Sequence, residues 1–244
     1  HGIGRRQRQM CIRDSYLATY LFAAIIQIIN FLILIFINIK KPIPSKKINR
    51  PLGDVLLQKN LIIAILAAAV GYSLMSFIMT ATPLQIVNVC KLGDSASATV
   101  IQWHVIAMFA PSFFTGTIIN SLGNRKVMMI GLFLYAFSIS FTIIGQTIEH
   151  FWIALFLCGL GWNFLYVGGS DIIAKSALPE ERAKVQGVTD FIIFVFVATG
   201  SFLAGALHST LGWEIMMFYT SIPILILFMS IIIINPDGGI KARY

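Results

Sequence analysis

Charge is what this sequence is short of. Only 11% of its 244 residues are Asp, Glu, Lys or Arg, 57% are hydrophobic, and the mean hydropathy is +0.84. A soluble globule carries about a quarter of its residues as charges, so a water-soluble fold is excluded and a lipid bilayer is the expected solvent. Cysteine is scarce as well: Cys11, Cys90 and Cys158 offer neither a disulfide frame nor the ligand spacing of a metal site. Absent too are His-Glu-x-x-His, Gly-x-Ser-x-Gly and a Gly-Lys-Ser/Thr phosphate loop, so no enzyme chemistry, metal or cofactor is expected. The sequence also lacks the period-two alternation of an outer-membrane barrel; residues 31–37 and 231–234 are continuous apolar runs. Membrane spans are therefore expected to be helices.

Apolar runs of about 20 residues, the length that crosses about 30 Å of hydrocarbon, recur at 16–38, 61–87, 98–119, 127–146, 151–173, 187–207 and 214–235, here spans A to G. The predicted fold is all-α, a polytopic membrane bundle of about seven transmembrane helices. The net charge of +8 would suggest nucleic acid in a soluble protein, but the placement of the cations points to lipid. Lys40, Lys41, Lys46, Lys47, Arg50 and Lys59 lie between A and B, Arg125 and Lys126 between C and D, Lys175, Arg182 and Lys184 between E and F, and Lys241 and Arg243 after G. The opposite loops carry Lys91 alone. The excess of positive charge places the first group of segments in the cytoplasm.

Arg5, Arg6, Arg8 and Arg13 would then lie outside, against that rule. Residues 1–15 have no signal-peptide cleavage pattern, and Arg-Arg-Gln-Arg-Gln-Met-Cys-Ile-Arg-Asp-Ser resembles translated adapter sequence. They are expected to be a non-native segment, the other reading being a juxtamembrane tail. The expected organisation continues with a single transmembrane helix at 16–38, a cytoplasmic central loop at 39–60, a six-helix bundle at 61–236 and a cytoplasmic tail at 237–244.

Between spans C and D the chain reads Gly116-Thr117-Ile118-Ile119-Asn120-Ser121-Leu122-Gly123-Asn124-Arg125-Lys126, two glycines bracketing a short turn with a basic end. Gly123 supplies the backbone freedom that so tight a reversal needs. This pattern resembles the loop signature of the major facilitator superfamily (MFS), with Asn120 and Ser121 where that signature has an acidic and a basic residue. Such a weakened copy is similar to the one in the C-terminal half of those transporters. Pro179-Glu180-Glu181-Arg182-Ala183-Lys184-Val185-Gln186-Gly187 followed by Asp190 resembles the facilitator loop before the penultimate helix. Thr80-Ala81-Thr82-Pro83-Leu84, Gln102-Trp103-His104 and Gly161-Trp162-Asn163-Phe164 are similar to bacterial efflux-like members. The resemblance implies that span A is the last helix of an N-terminal half, and that B to G form the C-terminal six-helix half of a transporter whose first five helices lie elsewhere.

Polarity separates the spans that could line a wet pathway from those that face lipid, because an unpaired polar group in hydrocarbon is costly. Spans A and D carry few polar groups. Span B carries Thr82 and Gln85, span C Gln102 and His104, span E Trp162, Asn163 and Tyr166, and these are the substrate-pathway candidates. In facilitators the first, second, fourth and fifth helices of each half line the cavity, which the resemblance maps to B, C, E and F. Trp162 and Tyr166 share a helix face with Asn163 close by, so a flat ligand could stack there and bond the amide; equally, the rings could fill space and Asn163 could bond a neighbouring span. His104 is a candidate proton carrier or an interfacial side chain beside Trp103. Gly116, Asn120, Gly123, Arg125, Lys126, Asp171 and Asp190 are the loop-motif and gate candidates, with Asp171 able to pair with Lys175 and Asp190 expected in the first turn of span F.

The expected function is secondary transport of a small solute across the bacterial inner membrane by alternating access, with protons as the coupling ion. The partners are the solute, protons, the bilayer and the missing half; nucleic acid is not among them. The alternative is a seven-helix receptor or sensor, although the last span has no lysine to carry a Schiff base.

Overall fold

Hydrocarbon offers backbone N–H and C=O groups no partner, so long apolar runs close their hydrogen bonds within helices. The computed structural model follows this rule. It describes the backbone of residues 3–37 and 51–239, and the side chains of 17–37 and 51–237. Most of the expected central loop and the end of the tail, with Lys40, Lys41, Lys46, Lys47, Arg50, Lys241 and Arg243, lie outside the described residues, as do the side chains of the segment expected to be non-native.

The chain forms two units, residues 1–46 and 47–244. The first contains α1, Ile3–Phe36, which begins before the expected start at 16 and runs unbroken into the apolar stretch Leu17–Phe36. Every described side chain of this stretch is exposed, with Leu21, Phe22, Phe31 and Phe36 on all sides of the helix. A helix apolar all round suits lipid or other helices rather than water.

The second unit runs through α2 (Leu52–Leu56), α3 (Lys59–Pro83), a π-helical turn (Leu84–Val89), α4 (Asp94–Phe109), α5 (Ser112–Leu122), α6 (Asn124–Ile144), α7 (Ile148–Ser176), α8 (Arg182–Leu211), α9 (Trp213–Tyr219), α10 (Ser221–Ile234) and a short 3-10 turn (Pro236–Gly239). At its centre α3 packs on α7 and α8, and α7 in turn packs on α4 and α6; α10 lies against α3 and α6. The core is apolar, with Leu61, Ile78, Leu132, Phe151, Leu155 and Leu165 fully buried. Close approach of α7 to its neighbours depends on small residues: a Cβ at Gly159 would sit 2.6 Å from the His104 carbonyl oxygen, and one at Gly169 2.7 Å from that of Ala64.

Among the described residues six helices are long and apolar enough to cross a membrane, or seven when the bent pair α4 and α5 counts as one span. The expectation of seven holds, with one change of shape. Span C, read as one helix over 98–119, is two helices meeting at 44° around Pro111. Proline has no N–H and its ring crowds the preceding turn, which breaks the helical ladder there. Pro83 has a related effect on span B, closing α3 and handing the chain to the π turn.

Candidate substrate pathway

Where α3, α4, α7 and α8 meet, five aromatic rings collect. Trp162 and Tyr166, one turn apart on α7, stack with centroids 5.1 Å apart and planes 8° from parallel. Tyr72 of α3 meets both edge-on at 5.3 Å. Phe109 at the end of α4 lies 5.8 Å from Trp162, and Phe194 of α8 lies 5.8 Å from Tyr72. The pair Trp162 and Tyr166 follows from their spacing along one helix; Tyr72, Phe109 and Phe194 come from other helices, and nothing in the local sequence joins them. Trp162 is buried with its indole Nε1 lacking a hydrogen-bond partner, while Tyr72 and Tyr166 are half-buried and Phe109 and Phe194 are exposed. The cluster is thus closed at Trp162 and open at its rim.

Asn163 bonds groups of α4 and α5 through its side-chain amide. Its Nδ2 donates to the Met108 carbonyl at 2.7 Å and to Ser112 Oγ at 2.6 Å, and its Oδ1 accepts from Thr115 Oγ1 at 2.6 Å. These groups flank Pro111, so the buried amide spans the α4–α5 break and satisfies a backbone carbonyl that the proline disturbs. These bonds join neighbouring helices, as in the second of the two readings open from sequence. His104 is fully buried against α7, its Nδ1 bonded to the Leu155 carbonyl at 2.7 Å and its Nε2 without a partner. Thr82 is buried and returns its hydroxyl to the Ile78 carbonyl, whereas Gln102 is exposed.

Gln85 is drawn into a polar knot at the end of the bundle away from the basic loops. Its Nε2 donates to Gln146 Oε1 at 2.8 Å and its Oε1 accepts from His208 Nε2 at 2.9 Å. Cys90 Sγ adds a contact to Gln146 Oε1 at 3.3 Å. These residues line or adjoin an open cavity of about 330 Å³ bordered by Trp213, Glu214 and Ile215. A second, apolar groove of about 630 Å³ runs between α3, α8 and α10, lined by Leu74, Phe77, Phe196, Leu203 and Pro223. Gln146 and His208 escaped the sequence reading because each stands at the end of a span, where polar residues are routine.

At the basic end, Gly123 joins α5 to α6 with φ of 84°, a conformation that side chains with a Cβ avoid. Asp237, after the last helix, reaches back to this turn, its Oδ2 accepting from the Arg125 backbone N–H at 3.1 Å. Arg125 also sends Nη2 to the Ile232 carbonyl at 3.1 Å. Asn124 Nδ2 donates to Asp171 Oδ2 at 2.8 Å, and the same oxygen takes Lys175 Nζ at 2.5 Å, the ion pair that the sequence spacing suggested. Gly116, Asn120 and Lys126 are exposed and take no part in this network. Asp190 is not in the first turn of its helix: α8 starts at Arg182, so the carboxylate lies about two turns inside.

Residues 79–241 match the family model of the Major Facilitator Superfamily. The riboflavin transporter RfnT of Brucella anthropi is 41% identical over 201 residues, 82% of this chain and 50% of its own length. Two uncharacterized MFS-type transporters of Bacillus subtilis are similar: YdeG at 35% identity over 61% of this chain and 35% of its own length, and YddS at 30% over 61% and 34%. The chain spans half or less of the length of these curated relatives.

Proposed function

This chain belongs to the Major Facilitator Superfamily, a family of membrane transport proteins rather than enzymes, and from that premise we propose that the full-length protein is a secondary carrier of a planar aromatic solute of the flavin type. Family membership gives the receptor or sensor alternative no support. In this reading residues 61–236 supply one of two helix bundles that alternate access around a site near the membrane midplane, and the other bundle comes from sequence outside this chain.

The observation that carries the proposal is the ring cluster of Tyr72, Trp162 and Tyr166 on α3 and α7. Stacking against aromatic side chains contributes about 1–3 kcal/mol per flat heterocycle, and a rim of half-buried tyrosines offers such a surface. The 41% identity to a riboflavin transporter makes riboflavin the first solute to test. Radiolabelled riboflavin should enter or leave vesicles holding the full-length protein, and Tyr166→Ala should raise KM about tenfold while the protein stays folded. Transport indifferent to both Tyr166→Ala and Tyr72→Ala would remove the ring cluster from the pathway.

Protons are the proposed drive, with His104 as the candidate carrier. Its unpartnered Nε2 supports this role, and its bond to Leu155 supports one in helix packing. His104→Gln should abolish accumulation driven by a pH gradient and leave exchange intact. Accumulation equal to wild type would assign the imidazole to packing.

A further inference from the structure

We infer that Asp190 selects the polar end of the ligand: its carboxylate, at the rim of the aromatic cluster, accepts hydrogen bonds from hydroxyl or imide N–H donors on a flat ring system held against Tyr72 and Tyr166. This role rests on the flavin reading above and names the group that chooses among flavins.

Placement is the first support. A carboxylate in the first turn of a helix is accounted for by the positive helix end, but Asp190 lies about two turns inside α8, where that effect has faded. Pairing does not account for it either, since the ion pair described among these residues is Asp171 with Lys175. A half-buried carboxylate in a membrane-spanning helix is expensive, and such groups face a wet cavity or pathway.

Direction is the second support. Asp190, Ile193, Phe194 and Val197 follow the three-and-four spacing of one helix face. Along that face Ile193 and Val197 pack with Tyr72 and Tyr166, and the Phe194 ring lies 5.8 Å from Tyr72. Asp190 is also an electrostatic neighbour of the Tyr166 hydroxyl. One turn of α8 therefore carries both the rim of the ring cluster and an acceptor-only group with several lone pairs to fill. A flat ligand on the rings would present its edge to that carboxylate, and an edge bearing hydroxyls or an imide N–H is the chemistry that satisfies it. Bonds to a charged acceptor discriminate strongly, because a ligand lacking the donor leaves the acceptor desolvated and unpaired.

The test is fluorescence quenching of three flavins by the full-length protein in lipid nanodiscs: riboflavin, lumiflavin, which replaces the ribityl chain by methyl, and 3-methylriboflavin, which lacks the imide N–H. Asp190→Asn should weaken riboflavin about tenfold or more, Asp190→Glu should restore most of the loss, and the analogue missing the recognised donor should bind wild type and Asp190→Asn alike. The role is overturned if Asp190→Asn binds riboflavin like wild type, if all three flavins weaken equally, or if binding survives and only accumulation in a pH gradient is lost. Absence of quenching by the wild-type protein, with all three probes, would instead overturn the flavin reading itself.

Discussion

Asn163 carries three hydrogen bonds to residues on either side of the α4–α5 break. Asn163→Leu keeps the heavy-atom count but strands the Met108 carbonyl and removes a partner from the Ser112 hydroxyl, while the Thr115 hydroxyl keeps its bond to the Pro111 carbonyl. The expected cost is about 1–3 kcal/mol, read as a lower midpoint in thermal unfolding of the purified full-length protein; an unchanged midpoint would mean that water fills the site. Single residues of this kind are half legible in sequence. The Trp162 and Tyr166 pair could be read from helical spacing, because i and i+4 are neighbours in any helix. The partners Tyr72 and Phe194 could not, since they lie on other helices and only packing sets their register. Asp190 was visible as a charge in a span, yet its meaning changed once the helix start moved to Arg182 and took the positive helix end away from it.

Elements were easier to find than their ends and bends. The seven apolar runs were recovered within a few residues, because the bilayer fixes helix length and hydropathy reports it directly. The 44° angle between α4 and α5 was foreshadowed only by Pro111, and its stability depends on Asn163 from another helix. Pro111→Ala should restore the missing N–H and straighten the span, drawing the Phe109 ring away from Trp162; tryptophan fluorescence of the full-length protein would report the change. The start of α6 is likewise held from outside itself, by the Asp237 carboxylate on the Arg125 N–H. Asp237→Ala removes a bond of the capping type worth about 1 kcal/mol. It should lower the unfolding midpoint and speed amide exchange at residues 124–127, whereas unchanged exchange would show that α6 needs no such cap.

At the scale of the whole molecule, both units leave apolar surface uncovered. All described residues of 17–37 are exposed, and Phe113, Phe114, Phe191 and Phe202 stand out from α5 and α8. Lipid and other helices are the partners such surfaces suit. Orientation is testable in cells expressing a full-length protein without native cysteines: an impermeant maleimide should reach a cysteine at position 214 from outside, and one at position 126 only after permeabilisation, both positions being exposed. The reverse pattern would invert the topology drawn from the basic loops. Composition, span length and charge placement settled by themselves that this is a helical membrane protein, and the glycine turn pointed to its family. Those properties are local or additive, so each window of sequence contains what it needs. Tertiary structure alone decided that Asn163 bonds across the α4–α5 break, that Gln85 joins Gln146 and His208, and that five rings from four helices form one cluster. These depend on how helices rotate and dock against one another, and in a chain whose faces are nearly all apolar, hydropathy hardly marks which face turns inward. Small residues, proline breaks and a few buried hydrogen bonds set that rotation instead.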